Sequence, residues 1–139
     1  IIRTNQKQLK FHKSVIERYK GEDWKNYITI DPTHYHREKV FECNDFDIHV
    51  ITWDKLQKSK IHNHANYGCL NKILFGSLQE NIYSTNNLLN PLLIKQNYIN
   101  DISYIDNSIG YHKIENNNND ISVSLHIYSP PRFKTKYFD

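Results

Sequence analysis

The sequence predicts an all-β protein with a short helical segment at its N-terminal end. Three observations carry this expectation. Eight short runs rich in β-branched and aromatic residues recur at roughly even spacing, turn-forming Asn, Gly and Ser separate them, and the helical apolar spacing seen before Asp31 gives way to alternation after it. Short strands in such a series suggest a small antiparallel barrel or a double-sheet jelly roll.

Taken in order, Leu9, His12, Ile16 and Tyr19 fall at spacings of three, four and three, one face of an amphipathic helix that Gly21 is placed to end. A second short helix is expected within 23–31 around Trp24 and Tyr27, before Asp31-Pro32 breaks regular structure. Strands are then expected at 40–43, 47–53, 69–75, 78–83, 92–95, 102–105, 111–115 and 121–128. The last has the clearest pattern: Ile121, Val123, Leu125 and Ile127 form one aliphatic face, and Ser122, Ser124, His126 and Tyr128 the other. Alternation alone reads that polar face as the solvent side of an edge strand. Ser129-Pro130-Pro131 ends the strand and admits a cis Ser-Pro bond. No internal repeat or domain boundary is visible, so residues 1–139 read as one domain, with 1–30 packed on the barrel.

Composition narrows the function classes. A mean hydropathy of −0.74 and the lack of any apolar run near 18 residues argue against a membrane helix. The net charge of +3 is spread among acidic residues, so a nucleic-acid surface is not expected. Two cysteines are too few for a disulfide framework and fit a reducing compartment, with the cytoplasm as the default location. The chain contains no methionine, so its native start, and any targeting segment there, is expected to lie outside it. Cys43 is read as a small buried hydrophobe.

Chemistry concentrates in Ile61-His-Asn-His-Ala-Asn-Tyr-Gly-Cys-Leu70. In extended chain, positions i and i+2 share a face, so His62 and His64 can aim both imidazoles at one metal while Asn63 points away. A third ligand must come from elsewhere: His112, after the turn glycine Gly110, is the best candidate, and His126 competes with it. His12 lies on the expected helix, His34 and His36 in an expected loop, and His49 on a strand of unknown facing. Three imidazoles suit Zn(II), Fe(II), Cu or Ni about equally.

His62-x-His64 followed by Cys69 and Gly76, the segments Tyr104-Ile-Asp-Asn-Ser-Ile-Gly-Tyr-His112-Lys-Ile-Glu-Asn116 and Ser124-Leu-His-Ile-Tyr128-Ser-Pro-Pro131, Trp53, and Tyr35-His36-Arg37 together resemble the cysteine dioxygenase family of the cupin superfamily. The resemblance runs from about residue 14 to residue 139. It implies a cupin jelly-roll barrel with mononuclear Fe(II) on His62, His64 and His112, and the conversion of L-cysteine and O2 to cysteine sulfinic acid. It also implies that Arg37, assisted by Tyr35, binds the substrate carboxylate, that Tyr128 faces substrate and oxygen, and that His126 and Ser124 support Tyr128. A thioether between Cys69 and Tyr128 is a further expectation, and a monomer is expected.

Departures are few. Asn63 replaces the commoner aspartate, the second cupin motif is only partly kept, and family members usually continue through another strand after Pro131. Two other functions are weighed: a dioxygenase for another small thiol such as 3-mercaptopropionate, against which Arg37 argues, and a metal-binding cupin without turnover, which would not need Tyr128, Cys69 and Arg37 together.

Overall fold

The computed structural model describes residues 8–138. A 3-10 turn at Leu9–His12 runs into a one-turn helix, α1 (Lys13–Glu17), and a second 3-10 turn follows at Asp23–Tyr27. Eight strands succeed them: β1 (His36–Glu42), β2 (Asp47–Trp53), β3 (Cys69–Phe75), β4 (Ser77–Tyr83), β5 (Leu93–Tyr98), β6 (Ile102–Ile105), β7 (Tyr111–Glu115) and β8 (Ser122–Tyr128). They form a five-stranded sheet in the order β1-β2-β8-β3-β6 and a three-stranded sheet in the order β5-β4-β7. All pairings are antiparallel.

The larger sheet buries both faces, and register explains how. Residues directly opposite in an antiparallel pair point to the same side, so the pairs Asp47↔Tyr128, His49↔His126 and Ile51↔Ser124 put these six side chains on one face. The other face carries Val50, Val123, Leu125 and Leu70, which pack with Leu9 and Ile16 and, around them, Tyr19, Trp24 and Ile28. The first face meets the smaller sheet, where Ile51, Trp53 and Ile73 pack with Leu78 and Ile114. A second group around Cys69, Ile105 and Tyr128 packs with Ile82.

Four expectations need correction. β8 lies between β2 and β3 rather than at an edge, and its polar face is buried because the second sheet covers it. The helix stops at Glu17, well before Gly21, and the buried Lys72 amine on β3 donates to the carbonyls of Ile16 (3.1 Å) and Tyr19 (2.8 Å) that a longer helix would have used internally. β1 starts at His36, earlier than the apolar run suggested, because pairing with β2 extends the strand back to His36↔Thr52. His36 and Arg37 are therefore strand residues. Cys43 is half-buried, following the end of β1 where packing thins. The Ser129-Pro130 bond is cis.

Candidate metal centre and substrate pocket

The stretch 61–68 is not a regular strand, yet it places its histidines as an extended chain would. His62 pairs singly with His112 of β7: His62 N–H donates to the His112 carbonyl at 3.0 Å and His112 N–H to the His62 carbonyl at 3.3 Å. Asn107 fastens the next ligand, accepting from His64 N–H at 2.9 Å and donating to the His64 carbonyl at 3.2 Å. Asn63 points away, its side chain accepting from Lys136 N–H. Gly110 makes the turn into β7 at φ +152°, where any Cβ would lie 2.2 Å from the Tyr83 carbonyl oxygen.

His62, His64 and His112 bring one ligand atom each within 4.8 Å of one another. His62 Nδ1 lies 2.8 Å from the Lys60 carbonyl and His112 Nδ1 2.7 Å from Glu80 Oε2. Both acceptors require N–H at Nδ1, so both Nε2 atoms carry lone pairs. These lone-pair atoms face each other at 3.1 Å, an unfavourable contact without a cation and close to the separation of two neighbouring ligands on one ion with metal–nitrogen bonds of about 2.1 Å. Neither ring nitrogen of His64 makes a hydrogen bond of normal geometry, although the residue is only 2% exposed. An orphaned imidazole beside two converging lone pairs fits a metal ion, and these residues would hold one. Burial, followed by the neighbouring His112, pulls the His62 pKa down to about 3 and that of His64 lower still, so both present neutral ligand nitrogen at ordinary pH.

Glu80 went unnoticed in the sequence. It is a lone acid in β4, is fully buried, and is held by His112, by Lys95 at 3.4 Å and by Asn97 at 3.4 Å. Burial alone would raise its carboxyl, but the His112 contact and Lys95 outweigh this and hold it at about 2. The only sequence signal was its position: an acid on the strand that pairs with the His112 strand, in a run otherwise buried at its end.

On the opposite sheet, Cys69 and Tyr128 are direct cross-strand partners. The Cys69 thiol is 1% exposed, donates to Asn71 Oδ1 at 3.0 Å and is pushed far above its ordinary pKa by burial. Tyr128 is raised likewise, chiefly by burial. A chain of polar groups runs along this face: Trp53 Nε1–H donates to Ser124 Oγ at 2.9 Å, Ser124 Oγ lies 2.7 Å from His126 Nε2, and His126 Nδ1 lies 3.5 Å from the Tyr128 hydroxyl. Burial, then the charge of Arg37, holds His126 well below its ordinary pKa. The structure thus places His126 away from the histidine cluster and beside Tyr128. His12, His34 and His36 also lie outside the cluster, whereas His49 packs edge-on against Tyr128 with ring centroids 5.2 Å apart.

Arg37 faces the interior opposite Ile51, its guanidinium 5.4 Å from the centroid of the Tyr128 ring. Around the guanidinium lie the phenols of Tyr128, Tyr137 and Tyr35 and the Cys69 thiol, and Asp47 and His49 line the same cavity. Tyr35 stacks on Trp53 at 4.5 Å, and burial followed by the neighbouring Tyr137 pushes its hydroxyl up to about 12. A cation ringed by neutral phenols next to a histidine cluster is a setting for a small anionic ligand.

Fold and site together define a cupin, a double-stranded β-helix with a three-histidine site that could hold a metal. Solved structures agree on the fold: a double-stranded β-helix protein from Klebsiella pneumoniae (TM-score 0.69, 15% identity, covering 88% of this chain and 99% of that one) and an RmlC-like cupin from Desulfovibrio desulfuricans (0.62, 19%, 82% and 99%). The chain belongs to the cysteine dioxygenase type I family, whose model matches residues 1–139. Human cysteine dioxygenase type 1 is 32% identical over 135 residues and the bovine protein 33%, each covering 91% of this chain and 68% of the relative.

Proposed function

We propose that the protein is an iron-dependent thiol dioxygenase that converts L-cysteine and O2 to cysteine sulfinic acid. The observation that carries the substrate is Arg37: a guanidinium turned inward opposite Ile51, 5.4 Å from the centroid of the Tyr128 ring and close enough to His62 for its charge to be felt there. His62, His64 and His112 would hold Fe(II), which, when bound, supplies the redox chemistry that lets dioxygen react with a thiolate so that both oxygen atoms end on sulfur. Three neutral imidazoles would leave the charge of an ion held there largely uncompensated, so the site would favour an anionic thiolate over a neutral thiol. Arg37 takes the carboxylate with its planar fork, and Tyr35 adds a neutral donor. This fixes the substrate at its far end from the sulfur.

The polar face of β8 orients Tyr128. The Ser124 hydroxyl accepts from Trp53, which leaves its own proton for His126 Nε2. The single ring proton of neutral His126 then sits on Nδ1 and is donated to the Tyr128 oxygen, so the phenol keeps its own O–H, shared with the Cys69 sulfur here and available to substrate or oxygen. Burial keeps that phenol protonated. Cys69, its cross-strand partner, would form a thioether with the Tyr128 ring: the thiol S–H and a ring C–H break, one S–C bond forms, and dioxygen takes up the two electrons and two protons.

The test is anaerobic reconstitution with Fe(II), followed by oxygen uptake on cysteine, cysteamine and 3-mercaptopropionate. Cysteine should be preferred, and Arg37→Ala should weaken its use by about tenfold to a hundredfold, the value of a hydrogen bond to a charged group, while leaving cysteamine unchanged. Equal oxidation of cysteamine and cysteine by the parent protein would refute the carboxylate role, and no uptake with any thiol would refute the activity.

A further inference from the structure

The segment Arg132 to Phe138 crosses the mouth of the site and is fastened along its length. Arg132 N–H donates to Asp47 Oδ2 at 2.8 Å, and Phe133 packs with the group that contains Cys69 and Tyr128. Asn63 N–H donates to the Lys136 carbonyl at 3.2 Å, Phe138 N–H donates to the Ile61 carbonyl at 2.9 Å, and the Phe138 ring stacks on Tyr111 at 4.6 Å. Tyr137 stands between these anchors. Its backbone bridges to His62, and its ring centroid lies 5.9 Å from that of the His62 imidazole. The main chain is tied down on both sides, which fixes where this side chain leaves the backbone. Its hydroxyl is hydrogen-bonded to that of Tyr35, the residue two positions before Arg37. With 46% exposure, the side chain meets solvent on one side and His62 and Tyr35 on the other.

We propose that Tyr137 is a specificity-determining residue of the substrate pocket, its hydroxyl joining Tyr35 and Arg37 around the carboxylate and its ring closing the mouth beside His62; this rests on the function proposed above. Arg37 offers five donors in one plane, and a carboxylate held by it keeps lone pairs to spare. Neutral phenols fill that need without competing for the guanidinium as an acid would. The ring, in turn, limits the length of thiol that fits between the mouth and the histidines.

Two variants separate the roles. Tyr137→Phe removes the hydroxyl and keeps the ring; it should weaken anaerobic cysteine binding to zinc-loaded protein by about tenfold, the low end for a hydrogen bond to a charged group because the site is partly exposed. The KM for cysteine should rise by a similar factor, with kcat, metal content and cysteamine oxidation unchanged. Tyr137→Ala should share that loss and also raise the ratio of homocysteine to cysteine oxidation. Parent-like cysteine binding and KM in Tyr137→Phe, with an active parent, would overturn the inference alone, as would a loss confined to kcat. A parent inactive on cysteine would overturn both the inference and the function beneath it.

Discussion

Replacing Glu80 by glutamine keeps the shape of the side chain that meets His112 and removes only its charge. The native contact, 2.7 Å between two buried groups, is a charge-assisted hydrogen bond that fixes the Nδ1–H tautomer and leaves Nε2 for a metal. Glutamine still offers a carbonyl oxygen to Nδ1–H, so the change is from a bond worth about 1.5–3 kcal/mol to one worth about 0.5–1.5 kcal/mol. The difference, about 1 kcal/mol or somewhat more, corresponds to roughly a tenfold loss of metal affinity. Glu80→Ala removes the acceptor altogether and should reach the roughly 100-fold upper end found for residues that orient a ligand imidazole. Lys95, which loses its ion pair in both variants, is a third exposed and can turn to water. Competition against a chelator of known strength, with Zn(II) as the probe, measures both affinities. Parent-like affinity in Glu80→Ala would refute the idea that this carboxylate sets the ligand.

His62→Ala, His64→Ala or His112→Ala should each abolish tight metal binding, whereas His126→Ala should keep the metal and lose about 10–100-fold in rate; metal analysis showing the opposite for His112 and His126 would reverse the ligand assignment. After aerobic turnover, intact-mass analysis should show a species lighter by two hydrogens that Cys69→Ala lacks, and a fragment containing Cys69 and Tyr128 that survives reduction; full activity with Cys69 freely alkylated would exclude the cross-link. In metal-free protein, His126 stays neutral when folded but takes a proton near pH 6.5 when unfolded, so stability falls as pH drops below about 6.5. His126→Gln should reduce that slope by about 1.4 kcal/mol per pH unit, the value of one proton, and parallel curves would count against it. Lys72→Met should cost about 1–3 kcal/mol by leaving the Tyr19 carbonyl without its amine donor and the Ile16 carbonyl with backbone N–H alone, read as faster proteolysis before β1 and a lower Tm; unchanged proteolysis would mean that apolar packing alone docks the segment.

Local pattern determined the secondary structure and much of the site. Alternation in 121–128 and 47–53 reads as strand because a pleated chain must send successive side chains to opposite faces, and the same rule put His62 and His64 on one side with Asn63 on the other even though no regular strand forms there. His112 stood out through its turn glycine and through the family resemblance. Pairing between distant strands decided the rest. Whether the polar face of β8 met water or a second sheet depended on β8 lying between β2 and β3, which no local period encodes. Arg37 precedes the first strand expected from the sequence, and only pairing with Ile51 turns it inward. Glu80 and Tyr137 gain meaning only from what lies across from them: an acid in β4 beside the His112 strand, and a phenol carried to His62 from a segment more than seventy residues away. Side-chain periodicity is a property of backbone geometry within a few residues, whereas burial, charge pairing and ligand convergence are set by which strands pair and in what register.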